Sequence, residues 1–197
     1  MGLILNGNEP NKILYNGAEV SLYFNGSKIW PDITPVLDEV TIGTQTWMSK
    51  NLAIDDGQGG ISTRTVNYGQ GDVVEYYYSW EAAVRVAASI PGWHLPTKAE
   101  WNTLANAVGG KSDAGTKLKS TYGWNKDGNG TDDYGFAAFP AGYPDLIIGN
   151  YANFWTTSEL SSPDYAEYIK FRYNTTSMEF SNFRKSNEIT VRLIKDS

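Results

Sequence analysis

Helix-start and helix-stop signals occur together in only two short windows of this 197-residue chain, and that limits the fold. In the first window Ser79 can cap a helix over residues 80–90, where Ala82, Ala83, Val84, Val86 and Ala87 are small and apolar, until Pro91-Gly92 stops it. In the second, Thr97-Lys98-Ala99-Glu100 has capping-box spacing: the Thr97 hydroxyl can accept from the Glu100 amide while the Glu100 carboxylate accepts from the Thr97 amide. Trp101, Leu104, Ala105 and Val108 then recur on one face before Gly109-Gly110 ends the run. From Phe154 onward helical periodicity is absent. Residues 168–172, 178–181 and 189–193 alternate instead, each placing an apolar set inward and a polar set outward. With 20 glycines and 14% aromatics, the rest of the chain favours strands and turns. The expectation is an α+β fold, two helices packed on a small antiparallel sheet with long loops.

A weak repeat precedes this region. Leu3-Ile4-Leu5-Asn6-Gly7, Ile13-Leu14-Tyr15-Asn16-Gly17 and Leu22-Tyr23-Phe24-Asn25-Gly26 are apolar runs ending in Asn-Gly, the dipeptide that best tolerates a type I′ turn, so short antiparallel hairpins are predicted. Two prolines in Pro31-Asp32-Ile33-Thr34-Pro35 mark a linker. The chain therefore divides into a hairpin appendage and linker over residues 1–35 and a main domain over 36–197. In the latter, residues 40–48 read as a strand, a turn at Gly43 and a second strand, followed by a Gly-rich loop at 55–60.

Several chemistries are excluded by composition. The 16 basic residues against 22 acidic ones leave a formal charge of -6, without the basic stripe that neutralises nucleic-acid phosphates. There are no cysteines, so neither disulfides, thiolate nucleophiles nor Cys-based zinc sites can form. His94 is the only histidine, which rules out a histidine cluster, and its setting suggests a buried structural donor. No stretch is long and apolar enough to span a membrane, and Met1 to Gly7 lacks the cationic and hydrophobic parts of a signal peptide. No membrane insertion and no leader are expected. The run from Asn125 to Asp133 superficially resembles a calcium loop, but Phe136 stands where a bidentate Glu belongs, so side-chain oxygens closing turns on their own backbone are preferred. A calcium ion in another geometry stays open; otherwise no cofactor is expected. Asp132, Asp133, Asp145, Glu159 and Asp164 supply carboxylates, but nothing in the sequence sets two of them about a scissile bond, so no enzymatic activity is expected.

Five segments, in order, resemble a known group: Val40-Thr41-Ile42-Gly43-Thr44-Gln45-Thr46-Trp47-Met48-Ser49-Lys50-Asn51-Leu52, Pro91-Gly92-Trp93-His94-Leu95-Pro96-Thr97-Lys98-Ala99-Glu100-Trp101, Tyr134-Gly135-Phe136-Ala137-Ala138-Phe139-Pro140-Ala141-Gly142, Phe154-Trp155-Thr156-Thr157-Ser158-Glu159 and Val191-Arg192-Leu193. They look like the Fibrobacter succinogenes major paralogous domain, found in Bacteroidetes and their phages. That resemblance implies a C-type lectin-like fold and likeness to the variable proteins of diversity-generating retroelements, in which adenine-directed mutagenesis randomises Asn codons near the C-terminus. Such codons can yield Tyr, Asp, Ser, Thr, Arg or Phe, but not Lys, Glu or Met. The formylglycine-generating enzymes of the wider group use cysteine chemistry, which this chain lacks.

The stretch between Tyr151 and Arg184 combines Tyr, Ser, Asn and Thr, the residues that give large rigid contacts and adaptable hydrogen bonds at binding surfaces. Candidate ligand-binding residues are Asn153, Tyr165, Tyr168, Arg172, Tyr173, Asn174, Thr175, Ser177, Ser181, Asn182, Phe183 and Arg184, all reachable from an Asn codon or Asn themselves. Trp155, Phe171 and Phe180 are assigned to the core by parity, while Glu167, Lys170 and Glu179 are unreachable and hence fixed. The functional expectation is a non-enzymatic receptor-binding protein of a phage tail with a variable C-terminal face, its partner a host-cell surface protein or glycan. The alternative is a bacterial cell-surface domain of the same fold that binds polysaccharide or mediates adhesion. Analogy with tail proteins suggests a homotrimer.

Overall fold

In a computed structural model, residues 4–5, 13–15, 18–19, 22–24, 27–30, 37–143 and 147–197 are described. The chain divides into two compact units, Met1–Val36 and Leu37–Ser197. In the first, β1 (Ile4–Leu5), β2 (Ile13–Tyr15) and β3 (Ala18–Glu19) form one antiparallel sheet, and β4 (Leu22–Phe24) pairs with β5 (Ser27–Trp30). The apolar runs of the repeat thus form strands. The Asn-Gly dipeptides and the linker at residues 31–35 lie outside the described residues.

The second unit opens with the hairpin β6 (Glu39–Ile42) and β7 (Gln45–Met48). Gly43 between them has φ +63°, and a Cβ there would sit 2.9 Å from that of Ala107, so both backbone and space demand glycine. Next come the hairpin β8 (Ile61–Asn67) and β9 (Asp72–Tyr78), helix α1 (Trp80–Ala88), β10 (Trp93–His94), and helices α2 (Lys98–Ala107) and α3 (Lys111–Leu118). A long irregular segment leads to β11 (Tyr151–Glu159), β12 (Tyr165–Arg172), β13 (Met178–Arg184) and β14 (Ile194–Lys195). Strand β14 pairs with both β7 and β10 in a sheet ordered β10-β14-β7-β6, which joins the two ends of the unit. The architecture of the described residues is mixed α+β, three helices with several small antiparallel sheets.

Both expected helices form for the reasons read in the sequence. Ser79 Oγ accepts from the Ala82 amide, and the Thr97–Glu100 capping box is complete. Helix α1 stops at Ala88, two residues short of the expected end. The third helix was not anticipated, because Gly110 offers no side-chain cap and Gly115 lies within it. Gly115 is there for proximity: a Cβ would come within 2.6 Å of the Thr176 carbonyl oxygen.

The sheet β11-β12-β13 divides the core. Its registers place Ala152, Phe171 and Met178 on one face with Phe154, Ile169 and Phe180, against a cluster that includes Trp101, Leu104, Ala105 and Val108 of α2 and Ala114 and Leu118 of α3. Trp155, Ala166 and Tyr168 occupy the other face, packed with Ala82, Ala83 and Val86 of α1 and with Ile189, Val191 and Leu193. Residues 189–193 correct the alternation expected of them. Only isolated bridges form there, and the polar set is buried with the apolar one: Thr190 donates to the Asn153 carbonyl (2.6 Å), and Arg192 is 0% exposed.

Arg192 anchors the irregular segment. Its guanidinium donates to Asn51 Oδ1 (2.9 Å), to the carbonyls of Met48 (3.0 Å) and Ala137 (2.8 Å), and to that of Phe136, while lying over the Phe136 ring. Burial draws its pKa below the usual arginine value, opposed by the nearby charges of Glu75 and Asp132. A fork of donors is what satisfies several main-chain carbonyls around one buried point.

Candidate functional site

The alternation of β12 and its neighbours sorts the predicted binding residues into two opposite faces and a loop. Tyr168, Arg172, Ser181 and Phe183 share one face with Asn153; Tyr165, Asn182 and Arg184 lie on the other. Tyr173, Asn174, Thr175 and Ser177 form the β12–β13 connection. The twelve therefore do not make one surface.

Two of them are not at the surface at all. Tyr168 is only 4% exposed, its ring against Trp155 (6.3 Å between centroids) and Phe183 (5.7 Å), because α1 and residues 189–193 cover that part of the sheet. Asn153 is 1% exposed; its Nδ2 donates to the Gly142 carbonyl (3.2 Å). Both correct the expectation of contact with a ligand: they support the site from beneath. Phe183 is half-buried against Tyr143 (5.2 Å), Trp155 and Tyr168. Phe180 was assigned to the core and does pack against it from a half-buried position, with Lys98 and Lys111 over its ring.

Where the cover ends, the first face opens. Cross-strand pairing sets Tyr151 beside Arg172, and Lys170 between Asn153 and Glu179. Arg172 Nη2 lies 3.1 Å and Lys170 Nζ 3.7 Å from the same oxygen of Glu179, so two cations share one carboxylate. The centre carries net positive charge on an acidic chain. Tyr143 and Tyr151 flank it with ring centroids 6.1 Å apart, and the Tyr143 hydroxyl is held protonated by burial and by the neighbouring Tyr168. Sequence reading missed Tyr143, Lys170 and Glu179 as contact residues. The two charged residues were visible as non-apolar positions on the parity of Arg172, whereas Tyr143 arrives from the irregular segment with no local signal.

The loop continues this surface and is held firmly. Lys119, buried beneath it, donates from Nζ to the carbonyls of Arg172 and Thr175, both 3.1 Å, and lies over the Trp124 ring. Burial lowers the Lys119 pKa. Thr116 N donates to the Thr176 carbonyl and Tyr173 N to that of Asn150. Gly128 lies so close that a Cβ would meet the Tyr173 carbonyl oxygen at 2.3 Å. Asn174 and Thr176 are left exposed, and Ser177 Oγ reaches Glu179 at 3.4 Å. Arg172 Nε, Asn153 Oδ1 and Thr175 Oγ1 are buried without a hydrogen-bond partner among the described residues. On the opposite face, Arg184 stacks over Tyr165 at 5.5 Å and Glu167 pairs with Lys98 at 2.6 Å.

The loop that resembled a calcium site spends its side chains on the backbone. Asn129 Oδ1 accepts from the Trp124 amide, Asp132 Oδ1 from the Ala137 amide, and Asn125 Nδ2 donates to Ile148 O and Asn150 Oδ1. Among the described residues no three His, Asp or Glu side chains converge as metal ligands would. Of the candidate carboxylates, Glu159 pairs with Lys185 (2.8 Å) and Asp145 lies outside the described residues. His94 is half-exposed rather than buried, bridging Glu100 (2.8 Å) and Asp196 (2.6 Å).

The chain matches the sequence profile of the Fibrobacter succinogenes major domain over residues 40–195. It belongs to this family. In this Fibrobacter succinogenes major domain the matched region contains all three helices, the sheet β11-β12-β13 and the Arg192 anchor, while the first unit lies outside it. No curated protein and no solved structure matches the chain. Among the described residues, no helix is long and apolar enough to cross a membrane.

Proposed function

We propose that this chain is a non-enzymatic ligand-binding protein of C-type lectin-like fold. It reads its ligand with the open face around Tyr143, Tyr151, Lys170, Arg172 and Glu179, extended by the 173–177 loop. One observation carries the reading: tyrosines and a charge centre of net positive sign lie half-exposed on a sheet whose reverse face is packed against α2 and α3 around Phe154, Ile169 and Phe171. Rigid aromatic anchors and adaptable polar groups on a fixed scaffold are what recognition surfaces use, since little entropy is lost on binding. The lectin-like assignment is supported by the pairing of the last strand, β14, with β7 of the unit's opening hairpin, two consecutive capped helices, and a long irregular segment before the final sheet. A ligand rich in hydroxyls and carrying an acidic group, such as a host-cell surface glycan or glycoprotein, suits this face.

The setting we propose is a retroelement-diversified receptor-binding protein of a phage tail. Arg172, Asn174, Ser177, Ser181 and Phe183 are Asn-codon-reachable residues that sit on or beside the face, interleaved with the unreachable Lys170 and Glu179. A neighbouring reverse-transcriptase gene with a near-copy of the C-terminal coding segment, differing at adenines alone, is the expected genomic context. Differences spread evenly over the four bases would remove it. Binding itself is tested with the purified chain on intact bacterial cells and immobilised surface polysaccharides. Tyr151→Ala, Arg172→Ala and Asn174→Ala together should weaken retention at least tenfold with the melting temperature nearly unchanged; undiminished binding would eliminate this face.

A further inference from the structure

A second cavity lies at the hairpin β8–β9 and shares no residue with the sheet face. It has a volume of about 400 Å³ and is walled by Leu52, Tyr68, Val73, Val74, Tyr122 and Phe139. The three rings form one cluster, with Phe139 5.0 Å from both Tyr68 and Tyr122 between centroids. Val73 and Val74 are 46% and 52% exposed, unusual for valines on a strand, and they form an apolar rim.

The only carboxylate in this lining is that of Glu75, itself 5% exposed. Asn51 Nδ2 donates to one of its oxygens (2.8 Å) and the Tyr68 hydroxyl to the other (3.0 Å). A carboxylate offers about four acceptor positions, so each oxygen keeps one unfilled. No ion pair among the described residues includes Glu75. Arg192 is held off it by Asn51, whose Oδ1 takes the Arg192 Nε proton. Lys50, also in the lining, is engaged with Asp38 at 2.6 Å. Glu75 therefore presents unfilled acceptor positions to the cavity, with one Asn51 N–H and the Tyr68 hydroxyl already donating to it.

We infer that this cavity is a binding site for a primary alkylammonium group, its aliphatic stem against the valines and aromatic rings and its –NH₃⁺ on the Glu75 carboxylate. An ammonium brings three donors and no acceptor, which matches what Glu75 lacks, and aromatic faces attract the same cation. A neutral alkyl chain would cover the carboxylate without filling its acceptor positions, and an anion would be repelled by it.

Calorimetric titration of the full chain with n-pentylamine, 1-pentanol and pentanoate at neutral pH tests this. The amine should bind at least about tenfold more tightly than the alcohol, as a charge-assisted hydrogen bond requires, and pentanoate should not bind. Equal affinity for amine and alcohol would overturn the inference. Glu75→Gln should bring the amine down to the affinity of the alcohol. Because Glu75 lies in a buried network and that variant can fail to fold, Val74→Lys serves independently. It places a competing ammonium at the exposed rim and should abolish amine binding with the fold intact; unchanged binding would again refute the site. Nα-acetyl-lysine amide distinguishes the two natural sources: affinity matching that of pentylamine assigns the site to a lysine side chain of a partner, and much weaker affinity assigns it to a free amine.

Discussion

Replacing Arg192 with Met should be among the most damaging single substitutions in this protein. The side chain is fully buried and gives hydrogen bonds to the Asn51 amide oxygen and to the carbonyls of Met48, Phe136 and Ala137. Met retains much of the volume, so the cavity contribution is small and the cost lies in polarity. Each buried acceptor left without its donor costs about 1–3 kcal/mol. These costs are not additive, because carbonyls can retain a second partner and the loop can relax. The nearby charges of Glu75 and Asp132 also lose an attractive interaction with the guanidinium. With several acceptors orphaned at once, we expect a loss of about 3–5 kcal/mol. For a domain of this size that lowers Tm by about 6–20 °C. Urea unfolding followed by tryptophan fluorescence measures it, and hydrogen exchange should show the amide of Ala137, bonded to Asp132 at 2.7 Å, losing protection first. Arg192→Lys should recover less than half, since a single ammonium cannot reproduce the fork. A loss below about 1 kcal/mol for Arg192→Met would refute the reasoning, because the carbonyls would then have to be satisfied without the guanidinium.

Tyr168→Ala should cost about 3 kcal/mol or more, whereas Arg172→Ala on the same strand face should cost under about 1, a contrast readable by thermal melts and inverted if Tyr168 were a surface contact. Gly128→Ala should destabilise by about 1–3 kcal/mol and increase proteolysis of the 173–177 loop, since the added methyl overlaps the Tyr173 carbonyl; an unaltered cleavage pattern would show that the loop is held elsewhere. His94 gives a pH signature. Burial lowers its pKa, but hydrogen bonds to Glu100 and Asp196 raise it further, so the net shift is upward from 6.5; its contribution is present below 6.5 and lost as pH rises through the folded value. Glu100 is opposed by burial yet net lowered from 4.5 by its bonds to Thr97 and His94, so its contribution is lost as pH falls through its folded value below 4.5. The stability difference between wild type and His94→Gln should therefore peak between about pH 4.5 and 6.5, staying under about 1 kcal/mol because the side chains are part-exposed; a difference independent of pH would contradict the bridge.

What the sequence determined alone is what depends on neighbours along the chain. Ser79 and Thr97 start helices because a hydroxyl reaches an amide three residues on, and Asn-Gly follows apolar runs that pair as hairpins. The family was legible in five ordered segments, and the matching profile covers residues 40–195. Parity within β12 and β13 placed Phe171 and Met178 correctly in the core, because alternation is a local property of an extended strand.

Which face of that sheet stays open was decided only by the tertiary structure. Alternation says that Tyr168 and Arg172 share a side, but not that α1 and residues 189–193 roof over the first and leave the second at the edge. The same applies to Thr190 and Arg192, polar by parity yet buried, since their partners come from Asn153, Met48 and Phe136. Helix α3 formed without a capping signal, where its Gly115 lets the chain around Thr176 approach closely. Burial and the meeting of Tyr143 with Tyr151, Lys170 with Glu179, and Glu75 with Asn51 depend on contacts between distant segments, and no periodicity within a segment records them.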